Sequence, residues 1–143
     1  MDNSINLLQV FVYGTLKPGE RNYQSYCADK VVEVQEAIAY GKLFALPFGY
    51  PAAIFPENYF VRGYVLSFLD PTVLTALDEL EDYHPDRLAS QNDYQRHRVE
   101  VYHSNLEPLA NVWTYSMSRQ KIAAYGGVFI KNGWWDFKLD YIF

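Results

Sequence analysis

Only one stretch of this chain, Asp70–Glu81, spaces its apolar residues as a helix does. Nearly all the others fall in short runs dense in β-branched and aromatic side chains. Leu7–Tyr13 (LLQVFVY) reads as a buried strand and ends at the dense turn signal Gly14-Thr15-Leu16-Lys17-Pro18-Gly19. Val31–Leu46 reads as extended, with Gly41 marking a bulge or a close backbone approach. Pro47, Gly49 and Pro51 force a loop, followed by a short segment Ala52–Phe55 and a strand Tyr59–Leu69 around Gly63. Tyr94–Tyr102 and Leu109–Tyr115 form a hairpin about Ser104-Asn105. Asn22–Asp29 and Arg119–Tyr125 read as short helices, and the aromatic tail after Gly126-Gly127 is the least legible part. Five or six strands with so little helix between them point to a small barrel or strongly curled sheet, and away from a parallel doubly wound sheet.

A chain of 143 residues makes one domain, 1–143, long enough to bury a full core. Half of its residues are apolar, which excludes a disordered chain. The 13 tyrosines suit half-buried sheets and polar-rimmed cavities. With a net charge of −5 and no block of Lys or Arg there is no phosphate track, so no nucleic-acid partner is expected. Cys27 is the single cysteine and makes no internal disulfide, which points to a reducing compartment. The first residues lack the basic region of a signal peptide, and no apolar run approaches the ~20 residues of a membrane span. A cytoplasmic protein without a membrane partner is the expectation. Oligomeric state is open, with a monomer as the working expectation.

The helix carries the main candidate for chemistry. Asp70 is placed to cap it and Pro71 to open it. Val73, Leu74, Leu77 and Leu80 share one face, and Glu81, four residues after Leu77, extends that apolar stripe. Desolvation first and the helix C-terminus second would push its pKa up, which suits proton shuttling near neutral pH. The alternative is a last-turn Glu that points to water. Asp78, three residues earlier, invites a paired-carboxylate reading, as in a glycosidase or a divalent-metal site. A solvated acidic helix end, Asp78–Asp82, is the stronger reading, since no Gly-punctuated ligand loop accompanies it. The turn Tyr13-Gly14-Thr15-Leu16 offers successive N–H groups to an anion, or is an ordinary strand-to-loop turn. Arg96 is positioned to pair with a substrate carboxylate, or is an exposed strand arginine. There is no P-loop and no G-x-S-x-G, and His84, His97, His103 and Cys27 lack metal-site spacing.

The order of these pieces resembles the γ-glutamylcyclotransferase-like (AIG2-like) family. Val10–Lys17 resembles its opening strand and YGTL loop. Gly41-Lys42-Leu43-Phe44 with Gly49-Tyr50-Pro51-Ala52 resembles its G-x-L-Y and yPa segment, and Val61–Val65 its v-x-G-e-v strand. Leu77-Asp78-Glu79-Leu80-Glu81 matches L-D-x-x-E. Tyr94-Gln95-Arg96 with Val99-Glu100-Val101, then Val112–Tyr115, follow the next two strands, and Gly133-Trp134 resembles a G-x-W ending. The resemblance spans about Val10 to Trp135. It implies an α+β fold, a small mixed β-barrel with flanking helices. It implies release of an amine from a γ-glutamyl amide with formation of 5-oxoproline, needing no metal and no cofactor. Glu81 would be the catalytic acid/base, with Tyr13, Gly14, Thr15, Leu16, Arg96 and Tyr115 binding a small-molecule γ-glutamyl substrate. One departure is Asp82, where the family often has a glycine suited to a left-handed helix end. The other is a long loop, His84–Asp93, bordering the site. Both leave a non-catalytic small-molecule binding module on the same scaffold as the alternative, with a hydrolase built on Asp78 and Glu81 as a third reading.

Overall fold

The computed structural model describes residues 6–138 and Tyr141. Among the described residues, eight strands form two sheets: β1 (Leu8–Val12), β2 (Val31–Tyr40), β3 (Lys42–Ala45), β4 (Pro51–Ile54), β5 (Phe60–Phe68), β6 (Gln95–Tyr102), β7 (Pro108–Ser116) and β8 (Val128–Ile130). Five of them close a barrel in the order β1-β5-β2-β6-β7, and the other three form a sheet in the order β4-β3-β8. The barrel is mixed, because β1 meets β7 in parallel at Val10 and Trp113 while its other pairings are antiparallel. The helices are α1 (Tyr23–Tyr26), α2 (Val73–Leu80) and α3 (Arg119–Ala124). None is long and apolar enough to cross a membrane among the described residues.

β1 is buried on both faces, which is why it reads as a nearly unbroken apolar run. Phe11 and Tyr13 join Ala37, Val61, Val65, Val101 and Val112, a cluster drawn from every barrel strand. Val10 and Val12 join Leu66, Phe68, Val73 and Leu77, so the apolar stripe of α2 closes over the other side. Where the strands crowd, glycine is required. A Cβ on Gly63 would lie 2.1 Å from the Val12 carbonyl oxygen.

Three elements differ from expectation. The run Val31–Leu46 is two strands, and Gly41 is where the chain leaves the barrel for the second sheet. A Cβ there would lie 2.6 Å from the Phe55 ring and 2.7 Å from the Ile54 carbonyl oxygen. α2 begins at Val73, three residues after Asp70. Asp70 Oδ1 accepts from the Thr72 N–H and hydroxyl, at 2.9 and 2.7 Å, and i→i−3 bonds from Val73, Leu74 and Thr75 tighten the entry turn. The tail is structural. Trp135 is buried, and the buried Lys17 ammonium bonds its carbonyl and sits 3.8 Å from the Trp134 ring centre.

Candidate active site

The turn after β1 spends its carbonyls and keeps its donors. The Lys17 N–H donates to the Gly14 carbonyl at 3.1 Å, and the Asn22 N–H to the Thr15 carbonyl at 2.9 Å. The Asn22 side chain also donates to Thr15 Oγ1 at 2.9 Å. Among the described residues, the N–H groups of Gly14, Thr15 and Leu16 find no acceptor. That segment lines a cavity of about 210 Å³. Gly14 is glycine because of packing: a Cβ would lie 2.7 Å from Pro51 Cγ. Pro51 lines the same cavity, and its carbonyl accepts from the Tyr94 hydroxyl at 2.6 Å. The Tyr13 hydroxyl donates to the Tyr115 carbonyl at 2.6 Å, tying the turn to β7.

Glu81 reaches this cavity from the end of α2. The Tyr83 N–H donates to the Asp78 carbonyl at 2.9 Å and the Asp82 N–H to the Glu79 carbonyl at 3.2 Å, which together make a Schellman motif. Asp82 stands at its left-handed position, with φ 53°. This is the conformation a glycine would suit, and a short polar side chain tolerates it. Arg87 braces Asp82 through its carbonyl at 2.8 Å and its carboxylate at 3.0 Å. The chain turns sharply there and leaves Glu81 beside the turn after β1. No described residue bonds the Glu81 carboxyl. Burial first, and the nearby charge of Asp93 second, push its pKa up to about 8. The sequence pointed to the helix C-terminus as the second cause; in the structure that part falls to Asp93. Tyr13, Tyr94 and Tyr115 around it are held well above the usual phenol range, mainly by burial.

Asp78 and Arg96 have a different placement from the one the sequence offered. Asp78 Oδ2 accepts from Arg96 Nη1 at 2.6 Å, and its Oδ1 from the Tyr115 hydroxyl at 2.7 Å. Both carboxylate oxygens are thus committed, which corrects the reading of Asp78 as a second free acid beside Glu81. Arg96 does not line the cavity. Its guanidinium lies 4.8 Å from the Trp113 ring centre and 5.2 Å from that of Tyr83, locking α2 onto β6. Of the residues singled out, Glu81, Tyr13, Gly14, Thr15, Leu16 and Tyr115 come together around the cavity, and Arg96 stands behind them. No group of three or more His, Cys, Asp or Glu among the described residues is arranged for a metal ion. Cys27 is buried, and burial holds its thiol up at about 11.

Sequence reasoning missed Arg21, Asn22, Tyr50, Asp93 and Tyr94 in the lining. Tyr50 and Tyr94 stood within the matched segments but carried no signal of their own. The loop 84–93, expected to be long and to border the site, folds around buried Asn92. The Asn92 side chain accepts from the His84 N–H at 3.0 Å and from Arg87 Nε at 2.9 Å, and donates to the His84 carbonyl at 3.1 Å.

Fold and cavity together define a small mixed barrel with a carboxyl-bearing pocket at the mouth of its first strand. The profile of the family described as Gamma-glutamyl cyclotransferase, AIG2-like matches residues 10–137. The chain belongs to that family. It is 33% identical over 110 residues to the gamma-L-glutamyl-butirosin B gamma-glutamyl cyclotransferase of Niallia circulans, covering 77% of this chain and 67% of the relative. In fold it resembles an AIG2-like protein of Mus musculus (TM-score 0.65, 18% identity, 92% of this chain and 89% of the other). It also resembles YkqA of Bacillus subtilis (TM-score 0.64, 22% identity), where it spans 91% of its own length but only 40% of the other chain.

Proposed function

We propose that this protein releases an amine or amino acid from a small γ-glutamyl amide while the glutamyl group cyclises to 5-oxoproline, with Glu81 as both general base and general acid. One observation carries the reading. A carboxyl with its pKa raised to about 8, unpartnered among the described residues, shares a cavity with a turn whose N–H groups find no acceptor among them. The name of the Niallia circulans relative supports the same chemistry.

The substrate brings its own nucleophile, the α-amine, so no serine or cysteine is needed. Holding the glutamyl chain folded makes the attack intramolecular and supplies much of the acceleration. Before substrate binds, Glu81 at pH 7 is largely protonated. An α-ammonium beside it favours the ionised form and lowers its pKa. Glu81 then takes one proton, and the freed amine attacks the γ-carbonyl carbon to close a five-membered ring. Glu81 passes that proton to the amide nitrogen, the carbon–nitrogen bond breaks, and a second proton follows from the ring nitrogen by the same path. The α-nitrogen loses two protons, the departing amine gains two, and Glu81 ends as it began. The N–H groups of Gly14, Thr15 and Leu16 bind glutamyl oxygens, while Tyr13 and Tyr115 shape the wall. Arg96 enters as a positioning residue, acting through Asp78 and Tyr115. The residues require no metal or cofactor for these steps.

The test is a panel of γ-glutamyl amides assayed for 5-oxoproline. Glu81→Gln should lower turnover about 10³- to 10⁴-fold, the upper range for a general acid–base group, and retain 5-oxoproline binding. Asp78→Asn should lower it less. Wild-type turnover in Glu81→Gln, or no 5-oxoproline from the wild type across the panel, overturns the reading.

A further inference from the structure

A second carboxylate in the cavity is not used by the steps above. Asp93 lines the cavity with Glu81, and its N–H donates to the Asp82 carbonyl at 3.2 Å, fixing it beside the end of α2. Asp93 Oδ1 accepts from the Tyr125 hydroxyl at 2.8 Å. Its other oxygen has no donor, and Asp93 has no ion-pair partner, among the described residues. The neighbouring Asn92 is buried and bonded on both sides of its amide, so the segment is held rigidly. Arg21 is the cationic residue of the lining, but it is exposed and lies 5.7 Å from the Phe137 ring centre, at the rim.

Resting on the proposed reaction, we infer that Asp93 binds the α-ammonium of the substrate's glutamyl group, next to Glu81. The ammonium must lie within reach of Glu81 to surrender its proton. Once Glu81 has taken that proton it is neutral, and the attacking nitrogen becomes positive as the ring closes. One carboxyl cannot be both the base and the counter-charge. Asp93, tethered by a phenol and facing the same cavity, supplies the charge that stays. A bound cation also relieves the repulsion between the two carboxylates, whose proximity is felt in the raised pKa of Glu81. The product lactam carries no ammonium, so Asp93 favours substrate over product and assists its release.

Calorimetric binding to Glu81→Gln protein, with and without Asp93→Asn, tests this without turnover. Three probes are used: a γ-glutamyl anilide, the glutaryl anilide that lacks only the α-amine, and 5-oxoproline. Asp93→Asn is expected to weaken the γ-glutamyl anilide about 10- to 100-fold, as for loss of a hydrogen bond to a charged group. The glutaryl anilide and 5-oxoproline should change less than about twofold in the same comparison, which also controls for damage to the fold. Equal weakening of all three probes, or an unchanged γ-glutamyl anilide, overturns the assignment. If the Asp93-dependent preference is found but the wild type makes no 5-oxoproline, the catalytic reading alone fails. If neither the γ-glutamyl anilide nor 5-oxoproline binds Glu81→Gln protein, both fail.

Discussion

Glu81 should make the protein less stable as the pH rises from 5 to 8, and Glu81→Gln should remove that slope. The carboxyl titrates at about 8 in the folded protein against 4.5 for an unperturbed glutamate. Between those values the unfolded chain has already lost the proton that the folded chain keeps. Unfolding therefore releases a proton, and stability falls with pH by about 1.4 kcal/mol per pH unit. Below about 4.5 both states are protonated and the cost is absent; above about 8 both are ionised and the cost is complete. Its ceiling is about 5 kcal/mol, and the opening of the cavity to solvent lowers the plateau while leaving the slope below it unchanged. Lys17 acts in the opposite sense at higher pH. Burial lowers it to about 8, so its contribution to stability rises as the pH climbs from 8 toward 10.5. The difference between wild type and variant cancels Lys17 and the histidines. Urea unfolding followed by tryptophan fluorescence, at half-unit steps from pH 5 to 8.5, gives that difference directly. A gap that does not change with pH would refute the raised pKa, and with it the proton-shuttling role.

Two structural predictions accompany the two functional ones. Arg96→Met leaves Asp78, whose side chain is 14% exposed, without its cation, and should cost about 2–4 kcal/mol in urea unfolding. A loss below about 1 kcal/mol would mean that the pair behaves as an exposed one. Gly14→Ala drives a methyl group into the Pro51 ring and should cost about 1–3 kcal/mol, as overpacking does. The same variant should weaken 5-oxoproline binding in calorimetry, because relieving the clash moves the turn that lines the cavity.

The strands, their approximate limits and the face of α2 are legible in the sequence because each depends on short-range pattern. β-branched and aromatic runs, turn residues and a helical stripe act over a few neighbours. Glu81 was legible as a carboxylate continuing the apolar stripe, but the stripe alone equally allowed a side chain turned to water, and its proposed role came from the match to L-D-x-x-E. The turn Tyr13–Leu16 was legible both as an ordinary turn and as a donor surface, and local pattern could not choose between the two. The structure adds that Asn22 and Lys17 bind its carbonyls while, among the described residues, nothing accepts from its N–H groups.

Tertiary structure decided the rest. Gly41 sends one extended run into two sheets because Phe55 and Ile54 press on it from elsewhere in the chain. Arg96 and Asp78 are 18 residues apart, and only the packing of α2 on β6 turned a candidate substrate ligand and a candidate second acid into one internal ion pair. Asp93 looked like one more polar loop residue. It faces Glu81 because a left-handed turn at Asp82 and the buried amide of Asn92 fold the loop back onto the helix end. The sequence sets which residues want to be buried and which backbone shapes are cheap, since those are local free energies. Which charges end up within a few ångströms of each other depends on contacts between distant segments, and pKa values and binding geometry follow from those contacts.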